Sequence, residues 1–211
     1  MTPDPIEFTE NVLDQVIDPP FSSGSSKNSN FWKELFKLIL LAVIIVVPFR
    51  LYVAQPFIVD GLSMYPTFNN GHYLIIDELS YYFKDPVRGS AVVFKYPKDP
   101  SKYFIKRIIG LPGETVSIKS GKVTIINTNH PKGLALDESY VKLVKDETAD
   151  YVLSDDQYFV MGDNRLQSSD SRIWGPVPAD NLIGRPIVRF WPPSLFPGQV
   201  SYQTDQVNNN P

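Results

Sequence analysis

The sequence predicts a mainly β fold: a compact, partly closed β domain behind a single N-terminal transmembrane helix. One long apolar segment, over residues 31–54, predicts the helix. The chain that follows consists of short runs rich in β-branched and aromatic residues, punctuated by Gly, Pro, Asn and Asp, with no amphipathic helix pattern of ten or more residues. Such a succession of short strands is typical of small, partly closed β-folds.

The apolar segment is expected to be an uncleaved membrane anchor. The uncharged residues 38–49 lie between Lys37 and Arg50, and flanking apolar residues extend the segment to the ~20 residues that cross a bilayer. The alternative is a buried core helix, but the rest of the chain predicts no helices to bury it. A cleaved signal peptide is disfavoured because its apolar region would begin unusually far from the N-terminus.

Flanking charge predicts the orientation of this anchor. Lys27, Lys33 and Lys37 closely precede the apolar run, whereas Arg50 alone closely follows it. The positive-inside rule therefore places the N-terminus in the cytoplasm and the β domain on the extracytoplasmic side. Residues 1–30 end in a stretch rich in Ser, Asn and Gly and are expected to form a flexible tail.

The β domain is expected to span residues 55–198, followed by a loose tail at 199–211 that is rich in Gln and Asn. Its aromatic residues Phe190, Trp191 and Phe196 are candidates either for contact with lipid or for the core. Six strands are predicted within the domain from short β-branched and aromatic runs, at 73–76, 90–96, 104–109, 115–118, 122–126 and 157–161.

The composition excludes several functional classes. The chain has 211 residues, with 20 Lys and Arg against 23 Asp and Glu, so no basic surplus is present to bind nucleic acid. Cysteine is absent, which excludes disulfides, thiolate nucleophiles and cysteine-ligated metals. The two histidines, His72 and His130, lie in turn-like stretches that we expect to be exposed. We therefore expect neither a metal site nor a cofactor.

Ser63 is a candidate nucleophile in a loop that contains Gly and Pro, Asp60–Thr67. A serine hydrolase needs a nucleophile, a base and donors for the developing oxyanion. Gly61 permits unusual backbone angles, and Pro66 restricts the turn that follows. On these residues alone, Ser63 is either a nucleophile or an ordinary turn residue.

Lys106 is the candidate base, because neither histidine lies in a suitable setting. It stands in an apolar strand next to Arg107, and strand alternation places the two cations on opposite faces. One of them must therefore face the less exposed side, where burial would lower the pKa of a lysine. The alternative is an edge-strand lysine that reaches solvent.

A third stretch is the polar loop 161–172, which follows an apolar strand. Its short hydroxyl, amide and carboxyl side chains are suited to orienting a base by hydrogen bonds. The alternative is a loop whose Asx and Ser turns satisfy only one another.

Together these stretches resemble type I signal peptidases, the membrane-anchored Ser/Lys endopeptidases. The resemblance covers residues 48–192, and five blocks match in the same order: 63–67, 71–76, 88–94, 106–114 and 162–172. Each block alone is weakly specific, but five in order are highly specific. The single apolar segment and the short insertion between 119 and 156 make the chain similar to small, minimal bacterial-type members.

The resemblance implies roles for the site residues. Ser63 would attack the scissile carbonyl, Lys106 would be the general base, and the Ser63 backbone N–H would donate to the oxyanion. Ser168 matches the hydroxyl that orients the lysine. Four charged residues match positions that support the site by ion pairing: Arg107, Asp163, Asp170 and Arg172. Five residues match positions that line shallow apolar pockets for small substrate residues: Phe57, Val59, Met64, Phe68 and Ile105.

The resemblance thus implies a membrane-bound serine endopeptidase that removes signal peptides from translocated preproteins after Ala-x-Ala-like sites. Its expected partners are signal peptides and the lipid bilayer, with no nucleic acid, and the sequence indicates no oligomeric state. Two departures concern the site. Gly61 stands where many members carry a serine whose hydroxyl joins the oxyanion hole, and Leu166-Gln167 replaces the usual Asp-Asn.

Two alternatives stay open at this point. A self-cleaving repressor of the LexA type shares the Ser/Lys pair, but it would carry a DNA-binding helical domain where this chain has a polar tail and an apolar segment. A catalytically dead, membrane-anchored binding protein would have no need of an intact Ser63, Lys106 and Ser168.

Overall fold

A computed structural model of the chain describes residues 27–52, 54–195, 198, 200 and 202. Most of the two tails expected over residues 1–30 and 199–211 lies outside the described residues, and so does Phe196. By its internal contacts the chain divides into two compact units, residues 1–44 and 45–211.

The N-terminal helix α1 spans Lys27–Tyr52 and has 26 residues. It coincides with most of the segment expected to be an anchor, although it begins before residue 31. Many of its large apolar side chains are exposed, including Trp32, Phe36 and Ile44. Across the described part of the chain, no helix combines the length and the hydropathy that crossing a membrane requires.

The described part of the β domain contains twelve strands and one short α-helix. In chain order they are β1 (Ala54–Ile58), β2 (Tyr73–Asp77), β3 (Ala91–Tyr96), β4 (Asp99–Gly110), β5 (Thr115–Lys119), β6 (Lys122–Ile126), β7 (Leu134–Ala135), β8 (Ala149–Val152), β9 (Gln157–Met161), α2 (Ser171–Trp174), β10 (Val177–Pro178), β11 (Leu182–Arg189) and β12 (Ser194–Leu195). Short 3₁₀-helices lie at Leu79–Tyr82 and Ala179–Asn181.

The strands form two antiparallel sheets. The larger sheet has the order β1-β2-β11-β3-β4-β9-β10, with β12 paired to β11, and the smaller sheet has the order β7-β6-β5-β8. Strand β4 is an interior strand, because β3 and β9 pair with its two edges. The mainly β fold expected from the sequence is confirmed.

All six predicted strands are present, as β2, β3, β4, β5, β6 and β9. Strand β11 is one of those that the sequence did not predict. Gly184 and Pro186 interrupt its apolar run, so the sequence does not indicate a strand there. In the structure, a bulge between Pro186 and Val188 accommodates the proline. Gly184 lets β11 lie close to β2, because a Cβ at this position would meet the carbonyl oxygen of Asp77 at 2.3 Å.

Three clusters of buried side chains form the core. The first includes Ile109 and Phe159 and lies against the smaller sheet. The second includes Met64 and Phe68, which follow Ser63 in the chain. The third includes Trp174 of α2 and side chains of β3 and β9. Strand β4 contributes to or packs against all three clusters, so the backbone that carries Lys106 and Arg107 is held by packing along its length.

The two sheets meet at Gly110, the last residue of β4. A Cβ at this position would lie 2.4 Å from Val116 Cγ2, 2.8 Å from Leu153 Cδ1 and 3.0 Å from Phe159 Cβ. These separations are shorter than van der Waals contact, so the junction between the sheets requires glycine.

Candidate active site

The nucleophile loop, residues 59–72, connects β1 and β2. Hydrogen bonds across its base join Val59 N–H to the His72 carbonyl at 2.9 Å, and Gly71 N–H to the Val59 carbonyl at 2.8 Å. At the tip, Gly61 has a φ of +90°, which favours glycine, and its N–H donates to Asn70 Oδ1 at 2.8 Å. The loop therefore presents Ser63 from a backbone that its own hydrogen bonds hold in place.

Lys106 faces Ser63 from the interior strand β4. Its Nζ lies 2.7 Å from Ser63 Oγ and 3.0 Å from the carbonyl oxygen of Ile105. The side chain is 4% exposed, so the alternative of an edge-strand lysine that reaches solvent is wrong. The two groups lie within the distance that direct proton transfer between them requires.

The environment of Lys106 shifts its protonation equilibrium towards the neutral form. Burial lowers the pKa of its ammonium group from 10.5 to about 8, while the charges of Asp170 and Asp163 act in the opposite direction. A lysine with a pKa near 8 supplies a neutral amine to a useful fraction of molecules close to neutral pH. A neutral amine is able to accept the proton of a serine hydroxyl.

Arg107 is buried as well, with no exposed surface, whereas the sequence required only one cation of the pair to be enclosed. Its guanidinium donates to both carboxylate oxygens of Asp163, at 2.8 and 2.5 Å, and to the carbonyl of Gly89 at 2.6 Å. The ring of Tyr140 lies 4.3 Å from the guanidinium carbon. Both faces of β4 are therefore covered at this point, and the arginine is enclosed together with its counter-charge.

Asp163 connects β4 to the nucleophile loop. Its carboxylate is 1% exposed and accepts from Arg107 and from the hydroxyl of Thr67, the latter at 2.5 Å. The next residue, Asn164, donates its N–H to the carbonyl of Ser63 at 3.0 Å and its side-chain amide to the carbonyl of Leu62 at 3.2 Å. The loop that follows β9 thus fixes the backbone on both sides of the Ser63 peptide.

Asp170 and Arg172 form the second ion pair expected from the sequence. Arg172 Nε donates to Asp170 Oδ1 at 2.7 Å, and the Gly162 N–H donates to Asp170 Oδ2 at 3.0 Å. Asp170 also caps α2, because its carboxylate accepts from the Arg172 N–H. Burial alone would raise the pKa of Asp170, but the hydrogen bond and charge of Arg172 outweigh it and lower the pKa.

Ser168 lies in the same loop but is not hydrogen-bonded to Lys106. Its hydroxyl is buried and has no hydrogen-bond partner of regular geometry among the described residues, although its proximity helps to lower the pKa of Asp170. Gly162 is packed against it, since a Cβ at 162 would lie 2.2 Å from Ser168 Oγ and 2.4 Å from the Ser63 carbonyl oxygen. The orienting role implied for Ser168 stays a prediction.

A segment that the sequence did not single out, residues 137–147, also holds the site; we call it the strap. Glu138 forms an ion pair with both terminal nitrogens of Arg165, one of them at 3.0 Å, and Glu147 binds Arg172 at 2.5 Å. Tyr140 lies on Arg107. Three buried or nearly buried arginines therefore obtain partners from the strap. Its mixed charges carry no periodic pattern, so the sequence offered no signal for these pairs.

A cleft of about 160 Å³, which we call the first cleft, reaches both Ser63 and Lys106. Three of the five residues expected in the substrate pockets line it, namely Phe57, Val59 and Ile105. The other two do not, because Met64 and Phe68 are 1% and 0% exposed and belong to the core beneath. Five further residues that the sequence did not indicate complete its apolar wall: Ile58, Leu74, Val93, Tyr103 and Phe104.

His72 is not the exposed turn residue that the sequence indicated. It is buried in the nucleophile loop, and its Nδ1 accepts from the Asn69 N–H at 3.2 Å. Burial, followed by the charge of Arg189, lowers its pKa. The histidine is thus a structural member of the loop and does not line the first cleft.

These features define a class of protein: a serine peptidase of mainly β fold, in which a buried lysine rather than a histidine lies beside the candidate nucleophile. Residues 32–191 match the family model described as "Signal peptidase, peptidase S26". The chain belongs to this family, and it is a hydrolase that removes signal peptides from proteins.

Individual relatives agree with the family. The chain is 40% identical over 192 residues to a probable signal peptidase I-2 of Synechocystis sp., covering 88% of this chain and 83% of the relative. It is 39% identical over 185 residues to a signal peptidase I of Leptolyngbya laminosa, covering 82% and 88% of the two chains. It is also similar to thylakoidal processing peptidase 1 of Arabidopsis thaliana, with 33% identity, covering 99% of this chain and 64% of that protein.

Proposed function

We propose that this signal peptidase cuts with Ser63 as nucleophile and Lys106 as general base. The observation that carries the proposal is the 2.7 Å separation of Ser63 Oγ and Lys106 Nζ at a lysine that is 4% exposed. As Ser63 Oγ bonds to the scissile carbonyl carbon, its proton passes to the neutral Nζ. The resulting ammonium then returns that proton to the leaving amine as the C–N bond breaks, which leaves an acyl-enzyme and a neutral lysine.

The same lysine is suited to the second half of the reaction. Neutral Nζ accepts a proton from a water molecule that attacks the acyl carbonyl, and it gives the proton to Ser63 Oγ as the ester breaks. Each proton that Lys106 takes is thus returned within the cycle.

The oxyanion relies on the backbone of the nucleophile loop. Among the described residues no acceptor is bonded to the Ser63 N–H, so it is free to donate to the developing charge. Gly61 supplies no hydroxyl, and its own N–H is already bonded to Asn70. We therefore assign the Ser63 N–H as the main donor that this loop provides.

The first cleft supports specificity for small residues before the cut, as at Ala-x-Ala sites. Its volume of about 160 Å³ is too small for two large side chains, and its wall is made of apolar and aromatic groups such as Phe57, Ile105 and Leu74. A small apolar side chain is able to enter next to Ser63 without displacing the buried lysine.

We further propose that α1 anchors the chain in a membrane, with the N-terminus cytoplasmic and the β domain extracytoplasmic. The exposed apolar side chains of α1 and the lysines that precede its apolar run support this orientation. Phe190 and Trp191, which are 61% and 75% exposed, are candidates for lipid contact.

In sealed vesicles carrying the full chain, external protease is expected to digest either the N-terminal tail or the β domain, but not both. Cleavage of both the tail and the β domain from the same side would contradict the orientation.

The proposed pair is tested with a preprotein that carries an Ala-x-Ala site and the full-length enzyme in detergent. Ser63→Ala and Lys106→Ala are each expected to abolish cleavage while the variants stay folded. Lys102→Ala is the matched control, because this lysine lies on the same strand but is exposed. Normal cleavage by Lys106→Ala would overturn the base assignment. A folded wild type that cuts no preprotein would favour the binding-protein alternative.

A further inference from the structure

A second cleft, of about 360 Å³, opens beside the nucleophile loop and is not used by the mechanism above. Its lining combines the loop residues Leu62 and Tyr65, the strap residues Lys142 and Leu143, and Leu166 of the loop after β9. The first and second clefts share no lining residue. Ser63 lines the first, whereas its neighbour Leu62 lines the second, so the second cleft begins one residue along the backbone from Ser63.

We propose that the second cleft binds the substrate residues that follow the scissile bond, those that become the start of the mature protein. The proposal rests on the proposed function, in which the residues before the cut occupy the first cleft. The substrate of an endopeptidase continues beyond the cut in both directions, so its second half must leave Ser63 across another surface. The second cleft begins one residue from Ser63 and is formed by backbone that the Asn164 hydrogen bonds hold in place.

The wall of the second cleft has the composition of a binding surface. Leu62, Leu143 and Leu166 are each at least half exposed, although they lie together around one cavity. Large apolar side chains that cluster on a surface in this way mark a site that a partner covers. A polypeptide segment fits this wall, because its apolar side chains would pack against the three leucines while its backbone stays in contact with water on the open side of the cleft.

The charge at the second cleft favours acidic substrate residues. Two charged side chains line it, Lys142 and Asp163. The carboxylate of Asp163 is buried in its ion pair with Arg107, whereas Lys142 is exposed and its Nζ lies 5.8 Å from the centre of the Tyr65 ring. The accessible charge is therefore positive, and the cleft is expected to prefer Asp or Glu to Lys or Arg shortly after the cut.

The test uses three synthetic peptides with one Ala-x-Ala site and with acidic, neutral or basic residues at the second to fourth positions after it. The full-length enzyme in detergent is expected to cleave the acidic peptide with a kcat/KM about two- to fivefold above that of the basic one. Lys142→Glu is expected to invert this order. Lys132→Glu, at an exposed lysine in the turn before β7 that does not line the cleft, is expected to leave it unchanged.

The apolar wall is tested separately with Leu143→Ser. This variant is expected to lose about threefold or more in kcat/KM on a peptide with Leu after the cut, and less on the same peptide with Ser there. If Leu143→Ser instead loses the same factor in kcat/KM on both peptides, and does so only when phospholipid vesicles are added, the wall is a lipid contact. That result would overturn the proposal.

The outcomes separate this inference from the proposed function. If the wild type cleaves all three peptides equally and Lys142→Glu changes none of their ratios, the second cleft does not bind the mature side, although the peptidase assignment stands. If no peptide is cut by a folded wild type while Ser63→Ala behaves identically, the proposed function itself fails.

Discussion

At the scale of single residues, Lys106 is the group at which the proposed catalytic role and the stability of the fold oppose each other. Enclosing an ammonium ion among buried side chains removes its hydration, and this burial lowers its pKa to about 8. Relative to an ordinary lysine, the shift corresponds to about 3 kcal/mol of destabilisation of the charged form in the folded protein. Because burial destabilises the charged form of Lys106, we expect both activity and stability to depend on pH.

The first prediction concerns activity. In the proposed mechanism only neutral Lys106 accepts the Ser63 proton, so kcat/KM is expected to rise with pH and to level off above an apparent pKa near 8. Well below that value, the rate should increase about tenfold per pH unit. Circular dichroism at each pH serves as the control for folding. A kcat/KM that stays flat between pH 6 and 9 would contradict a lysine base in this environment.

The second prediction concerns stability. Lys106→Met replaces the buried amine with an apolar side chain of similar length and is expected to raise the free energy of unfolding at pH 7 by about 1–3 kcal/mol, while abolishing cleavage. The native pKa lies below the unfolded value of 10.5, so the wild type gains stability as pH rises from about 8 to 10.5. The advantage of the variant should therefore shrink over that interval. Urea unfolding in one detergent measures it, with Lys102→Met, which should show no comparable gain, as control.

At the scale of elements, the strap is the segment that supports the loop after β9, which in turn contacts the nucleophile loop. Glu138 holds Arg165, whose Nε in turn donates to the carbonyl of Gly162 at 3.1 Å. Gly162 packs against Ser63 and Ser168. A contact made by the strap is thus transmitted through one arginine to the backbone beside the nucleophile.

Glu138→Gln tests this connection without changing the size of the side chain. Arg165 is 2% exposed, so loss of its carboxylate partner is expected to cost about 3 kcal/mol of stability and to lower kcat more than it raises KM. Asp146→Asn removes an exposed charge from the same strap and is the control. If Glu138→Gln and Asp146→Asn unfold at the same urea concentration, the strap does not support the loop.

The elements also show what local sequence predicts and what it does not. Strands such as β6 and β9 are recognisable because their apolar pattern lies within five residues. Ser63 and Lys106 are recognisable as candidates by their settings. Their contact, however, depends on which strands become neighbours. Glu138 and Arg165 are 27 residues apart in sequence, and no local pattern pairs them.

At the scale of the whole molecule, the two sheets of the β domain pack together at the end of one strand. Strand β4 belongs to the larger sheet, and its last residue, Gly110, touches side chains beside the smaller sheet. Arg88 and Glu114 add a buried ion pair at 2.7 Å between the residues that precede β3 and β5. The position of the catalytic strand therefore depends on how the two sheets join.

Gly110→Ala is expected to destabilise the domain by about 3 kcal/mol, because the new methyl group would overlap with Val116 and Leu153 and the sheets would have to separate. Gly71→Ala is the comparison: its φ is +81°, but no described atom lies within 4 Å of the added Cβ, so the loss should be about 1 kcal/mol. Unfolding in urea measures both. An equal loss at the two positions would show that backbone strain, rather than the sheet junction, sets the cost.

The buried position of Lys106 has a consequence for the enzyme between substrates. Because burial lowers its pKa to about 8, Lys106 changes between its charged and neutral forms close to neutral pH, so the resting enzyme is a mixture of the two. We expect a signal peptide that fills the first cleft to increase the burial of the lysine and to shift this mixture towards the neutral form. Binding of the substrate would then increase the fraction of enzyme molecules whose lysine is able to accept the proton of Ser63.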